Sequence, residues 1–311
     1  MKLGFVYAGQ GSQYVGMGKS LYEAFPSVRS FYDQLSLPVD IVNLSFNGPE
    51  ERLNQTENTQ PCMVALAIVM TDLLKESGII PDYVAGLSLG EYSALYGSGA
   101  LDQATTLDLI TFRGQAMAQA SLGVESKMLA ILGLDKDLLQ HCCDQASTQG
   151  VVAITNFNCP GQLVISGEKN AVEKAGQLAL EAGARRCVAL NTSGPFHTSL
   201  LKAAGDALHE KLKNIHWRKM NCPVIFNSTA LPLKDDETIA ELLEKQVQSP
   251  VLFEDSVRYM IEQGVDTIVE IGPGKVLSGF IRKIDRSIKC LQVEDAASLE
   301  KVITILKGEI I

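Results

Sequence analysis

Apolar positions in this chain fall into two alternating textures: short unbroken runs, and longer runs with a helical period. "LGFVYA" (3–8) is unbroken and stops at Gly9, which predicts a buried strand. A helical stretch follows over about 17–34. "TQPCMVALAIVMTDLLKESG" (59–78) is apolar almost all round and closes on Gly78, the pattern of a deep helix with a glycine cap. "DYVAGL" (82–87) predicts a short strand, and a helix opens directly after Ser88 through "EYSALYG".

From about position 122 the order of elements changes. "KMLAILGL" (127–134) reads as a strand and "DKDLLQHCCDQAS" (135–147) as a helix. "VVAITNFN" (151–158) and "QLVISG" (162–167) are strands joined by a Cys-Pro-Gly turn; helix 168–183 and strand 185–190 follow. This β-α-β-β-α-β order is ferredoxin-like. The expected organisation is a small α+β subdomain over 122–193 inserted into a larger α/β unit formed by 1–121 and 194–311. The larger unit resumes with a helix at 198–212, a strand at 223–228, a helix near 236–248 and a strand at 266–272. There are no repeats and no low-complexity segments.

With 311 residues, 46% of them hydrophobic, the chain can bury a large core. Its net charge of −9 speaks against a nucleic-acid partner, because neutralising phosphates needs a basic face. The 7 cysteines show no CxxC pair or zinc-ligand spacing, so reduced thiols and no metal are expected. "CMVALAIVM" (62–70) is too short to cross a bilayer, and no charged leader precedes the first strand. The expectation is a soluble cytoplasmic protein, without membrane contact.

The chemistry centres on "AGLSLGEYSA" (85–94). Gly86, Ser88 and Gly90 have the spacing of a nucleophile elbow, where a serine stands on a sharp strand-to-helix turn. Gly-x-Ser-x-Gly is only moderately specific alone; the predicted strand before it and helix after it supply the required context. The helix start offers backbone N–H groups to an oxyanion. Of the four histidines, His141, His209 and His216 lie in charged or connecting segments. His197, in the small-residue loop "NTSGPFHTSL", is the best candidate base. The N-terminal "AGQGSQYVGMGKS" is not a nucleotide loop: Tyr14 and Gln13 occupy positions where the dinucleotide and Walker spacings need glycine. It reads instead as a tight loop donating an N–H toward Ser88.

Taken together, "GQGSQ", "GLSLGEYSAL", "FRGQAM" (112–117), "GPFHTSL" and "EIGPGKVL" (270–277) resemble the malonyl-CoA:acyl carrier protein transacylase family, in order and separation, over nearly the whole chain. The resemblance implies a hydrolase-like parallel-sheet core with the ferredoxin-like insertion. It implies Ser88 as nucleophile, His197 as base and acid, and the N–H groups of Gln10 and Leu89 as oxyanion hole. Arg113 would pair with the free malonyl carboxylate, as a planar guanidinium can by two parallel hydrogen bonds. A main-chain carbonyl, assigned by position to Gln246, would orient His197. Phe196 would favour malonyl over methylmalonyl by crowding the α-carbon.

The implied partners are malonyl-CoA and an acidic acyl carrier protein. No cofactor is implied beyond the coenzyme A thioester itself, and a monomer is expected. A basic stretch (Lys275, Arg282, Lys283, Arg286, Lys289), with Arg185 and Arg186 in the insertion, would meet the carrier. Two departures stand out: Leu87 where the family commonly has histidine, and Ser249 where relatives often carry asparagine. The open alternatives are a polyketide-loading acyltransferase, a serine thioesterase and a non-catalytic binding protein.

Overall fold

The computed structural model describes residues 1–192 and 194–308. Along these residues the strands are β1 (Leu3–Tyr7), β2 (Tyr83–Gly86), β3 (Ser126–Leu132), β4 (Val152–Cys159), β5 (Gln162–Glu168), β6 (Arg186–Ala189), β7 (Val224–Ile225), β8 (Thr267–Ile271) and β9 (Lys289–Val293). They form two sheets.

The first sheet has the order β7-β2-β1-β8-β9, with every pair parallel. Each crossover carries helices that cover both faces, so β1 and β8 are buried at every position. That is why "LGFVY" and "TIVEI" are continuous apolar runs and not alternating ones. The helix Thr56–Glu76 packs beside the helix Gln103–Ala120 on one face and is buried over most of its circumference.

The second sheet has the order β4-β5-β3-β6, with every pair antiparallel and its two long helices (Lys136–Ala146 and Lys169–Glu181) packed against it. Sequence order across it is 2-3-1-4, the ferredoxin-like arrangement predicted. Its core is a separate apolar cluster around Leu139, Ile165 and Val172. The boundary drawn at 193 falls on a residue outside those described. The two sheets are joined by backbone hydrogen bonds from β4 to the segment after Pro250: Phe157 N donates to Val251 O at 2.9 Å, and Val251 N to Thr155 O at 2.9 Å.

Several expected boundaries shift for local reasons. The single helix expected over 17–34 is two, Lys19–Ala24 and Pro26–Asp33. Pro26 forces Phe25 out of the helical region, to φ −118 and ψ 116. The deep helix begins at Thr56 and not at 59, because Thr59 and Asn58 turn their side chains onto carbonyls of the preceding turn. The strand expected at 223–228 keeps only Val224–Ile225; beyond it the neighbouring strand has turned away. The helices Ile41–Asn47, Glu50–Leu53, Gln103–Ala120, Phe253–Glu262, Val276–Ile284 and Ala296–Lys307, and strand β9, were not anticipated.

Candidate active site

Ser88 lies two residues past the end of β2 and two before the start of the helix Gly90–Ser98. Its φ of +55 is left-handed, a conformation that costs a residue with a Cβ on the order of 1–3 kcal/mol. The flanking glycines are required by contact: a Cβ on Gly86 would meet the Gly90 carbonyl carbon at 2.0 Å, and one on Gly90 would meet the Tyr7 carbonyl oxygen at 2.4 Å. The helix start can then press against β1 and β2, which leaves the serine hydroxyl at the sheet's carboxyl edge.

His197 also has positive φ, +61, just before a short helical turn capped by Thr198. The structure brings the two together: Ser88 Oγ lies 2.8 Å from His197 Nε2. On the other side of the ring, His197 Nδ1 lies 2.9 Å from Gln246 O and 3.2 Å from Ser249 O. Two carbonyl acceptors place the proton on Nδ1 and leave Nε2 free to accept the serine proton. Burial, and secondly the positive charge of Arg113, push the imidazole down to about 4, so it is neutral at pH 7. The remaining histidines lie elsewhere: His209 pairs with Glu244, His141 contacts Gln145, and His216 is exposed.

Arg113, on the helix Gln103–Ala120, is 1% exposed. Its Nη1 donates to Gln60 Oε1 at 2.6 Å, and its Nη2 to Gln246 Oε1 at 2.9 Å and to Ser88 Oγ at 3.2 Å. The guanidinium stands over the Tyr92 ring, 5.5 Å from its centroid. Every one of these acceptors is uncharged, and among the described residues no carboxylate lies within ion-pair distance. Arg113 is a buried cation held in place but not neutralised, and burial lowers its pKa from the usual arginine value.

Gln246 does more than its assigned carbonyl. Its side chain is fully buried and, besides accepting from Arg113, donates from Nε2 to Ser88 O at 2.8 Å. One residue thus touches the nucleophile, the base and the cation. The Gln10 side chain accepts from Thr56 Oγ1 at 2.9 Å, which fixes the loop after β1. Among the described residues, neither the Gln10 nor the Leu89 main-chain N–H donates to another group, so both remain available at the bend.

A cleft of about 300 Å³ runs from this bend between the two sheets. Gln10, Ser88 and His197 close its base, with Leu87 and Phe196 beside them. Met128, Asn156 and Gln162 of the antiparallel sheet form the opposite wall, and Val276 and Phe280 the rim. Arg282 and Lys283 are exposed on the same helix as Phe280, and Lys283 Nζ reaches Gln162 Oε1 at 3.1 Å. Among the described residues, no three His, Cys, Asp or Glu side chains are grouped to hold a metal ion, and no helix is long and apolar enough to cross a membrane.

Sequence reasoning missed Gln60, Glu91, Asn227 and the Ser249 carbonyl. Gln60 had a weak signal, an amide directly before the long apolar run of the helix Thr56–Glu76. The others belong to segments whose meeting point depends on the tertiary fold.

Comparison with known proteins adds the following. The family model described as "acyl transferase domain" matches residues 4–306. A Bacillus subtilis protein named malonyl CoA-acyl carrier protein transacylase is 42% identical over 311 residues, covering 99% of this chain and 98% of the relative. The crystal structure of the corresponding protein, MCAT, from Streptococcus pneumoniae superposes with a TM-score of 0.92 at 44% identity, over 98% of this chain and 100% of the other. A malonyl-transacylase solved in complex with its type II polyketide-synthase acyl-carrier protein superposes at 0.94, with 38% identity, over 99% and 100% of the two chains.

Proposed function

The chain belongs to the acyl transferase domain family, and from that premise and the site geometry we infer that it transfers a malonyl group from malonyl-CoA to acyl carrier protein, in the service of fatty-acid synthesis. The observation that carries the choice of acyl group is Arg113: a buried guanidinium held by two neutral glutamines beside the nucleophile is a receptor for a carboxylate. A neutral acyl chain would leave that charge unpaired.

The reaction is a double displacement. The malonyl carboxylate pairs with the Arg113 guanidinium, which places the thioester carbonyl over Ser88 Oγ. His197 Nε2 accepts the serine proton as the oxygen attacks. The negative oxygen of the tetrahedral intermediate is received by the N–H groups of Gln10 and Leu89. When the intermediate collapses, His197 returns the proton to the departing coenzyme A sulfur, leaving malonyl-Ser88. The carrier's phosphopantetheine thiol then gives its proton to His197 and attacks the ester, and Ser88 is regenerated. The Gln246 and Ser249 carbonyls accept hydrogen bonds from Nδ1–H throughout and stabilise the imidazolium. No step calls for a metal or a bound cofactor.

Carboxylate binding also acts on the base. Arg113 is one of the two main causes of the low His197 pKa, so neutralising it makes the imidazole a stronger base when malonyl is bound. Phe196, at the base of the cleft, limits substituents on the malonyl α-carbon. The exposed Arg282 and Lys283, on the helix that bears Phe280, suit an acidic carrier.

The test is an assay of malonyl-CoA turnover with and without a purified acyl carrier protein. Transfer to the carrier thiol far faster than release of free malonate supports the reading. Hydrolysis unaffected by carrier would identify a thioesterase instead.

A further inference from the structure

Where β2 bends into the elbow, its parallel partner β7 ends as well: Val84 is paired with Val224 and Ala85 with Ile225, and the ladder stops there. On the β7 side, Gly86 O and Ser88 N would be left without main-chain partners. The side chain of Asn227, two residues past the end of β7, takes their place. Its Oδ1 accepts from Ser88 N at 2.7 Å, and its Nδ2 donates to Gly86 O at 2.6 Å. The amide itself is fixed from behind. Asn227 is 1% exposed; its own N–H donates to Glu91 Oε2 at 2.6 Å, and its carbonyl accepts from Leu252 N at 2.9 Å.

We propose that Asn227, backed by Glu91, is a positioning residue that holds Ser88 in its left-handed conformation and thereby aims the hydroxyl at His197 Nε2. This rests on Ser88 being the nucleophile, as proposed above. Three features support it. The Ser88 peptide is strained and therefore needs an external restraint. Asn227 grips the chain on both sides of the strained residue, at Gly86 and at Ser88. Binding the Ser88 N–H from below also keeps that amide from competing with Leu89 for the oxyanion.

Glu91 suits the supporting role. It is fully buried on the first turn of the helix that follows the serine; burial pushes its carboxyl up to about 8, toward the neutral form, and its Oε2 accepts from Asn227 N. An amide at that position would accept equally well.

The experiment follows acylation of Ser88 by malonyl-CoA in single turnover. In parallel it follows modification of Ser88 by diisopropyl fluorophosphate, a neutral reagent that needs an activated serine but neither Arg113 nor malonyl binding. Asn227→Ala should slow both reactions by about 10²-fold, the effect of misplacing a reacting atom by about 1 Å. The KM for malonyl-CoA should stay within about 2-fold of wild type. Asn227→Asp, which keeps an acceptor for the Ser88 amide and loses the bond to Gly86, should recover about 10-fold of the loss.

Wild-type rates in Asn227→Ala, or a loss carried entirely by KM, would overturn the proposal. Should the alanine variant not fold, Asn227→Asp decides: slowed acylation at unchanged KM supports the role, and wild-type rates overturn it. A wild-type protein that reacts with the fluorophosphate but not with malonyl-CoA would instead count against the assigned substrate and leave the positioning comparison intact.

Discussion

The guanidinium of Arg113 donates to the hydroxyl of Ser88 across 3.2 Å, so the group that selects the acyl chain touches the atom that attacks it. Selection and chemistry share one hydrogen-bond network through Gln246, and a change in either should register in the other.

Arg113→Ala should therefore do more than weaken binding. Two charge-assisted hydrogen bonds to the carboxylate are worth about 3 kcal/mol together, which predicts a loss of about 10² to 10³ in kcat/KM for malonyl-CoA. Turnover of acetyl-CoA, which has no carboxylate, should fall far less, and its rate relative to malonyl-CoA should rise. Arg113→Lys should behave nearly as badly as alanine, because a point charge cannot reproduce the planar fork. Steady-state kinetics with the two thioesters measure this.

The pH dependence follows from His197. In the free enzyme its pKa of about 4 places the acid limb of kcat/KM well below the ordinary histidine value of 6.5. With malonyl bound, Arg113 is neutralised, so the acid limb of the acylation rate at saturating substrate should lie at higher pH. Arg113→Gln should raise the limb in the free enzyme. Stability moves with the same group: the unfolded chain takes up the proton first as pH falls, so this contribution is full above about 6.5 and is lost as pH falls through about 4. Acylation rates and urea melts between pH 4 and 8 measure both.

The helix that lends Val276 and Phe280 to the cleft carries exposed Arg282 and Lys283, with Arg286 close behind in sequence. Reversing charge at Arg282 and Arg286 should raise the KM for carrier several-fold, increasingly so at low salt, and leave Ser88 acylation by malonyl-CoA unchanged. An unchanged carrier KM would make these residues ordinary surface.

The sequence made the central constellation legible because its signals are local. Gly86, Ser88 and Gly90 encode the bend by sterics alone, and the apolar run before them and the helix after them set its context. The β-α-β-β-α-β subdomain was legible for a similar reason, since its strands and helices alternate in periodicity within about seventy residues. What stayed hidden is non-local. Asn227 reads as one more turn residue until β7 is laid beside β2, and Glu91 reads as a solvated helix residue until the helix is packed against the sheet. The break at Phe25 was legible in Pro26 and was overlooked. The side-chain role of Gln246 could not be read at all, because it requires three distant segments to converge.

The most direct test is the intact mass of the protein after brief exposure to malonyl-CoA without carrier, followed by mapping of the modified peptide. A single malonyl group on Ser88, discharged by addition of acyl carrier protein and absent from Ser88→Ala, is the predicted result. A wild-type protein that gains no mass, or a Ser88→Ala variant that still acquires the group, would contradict it.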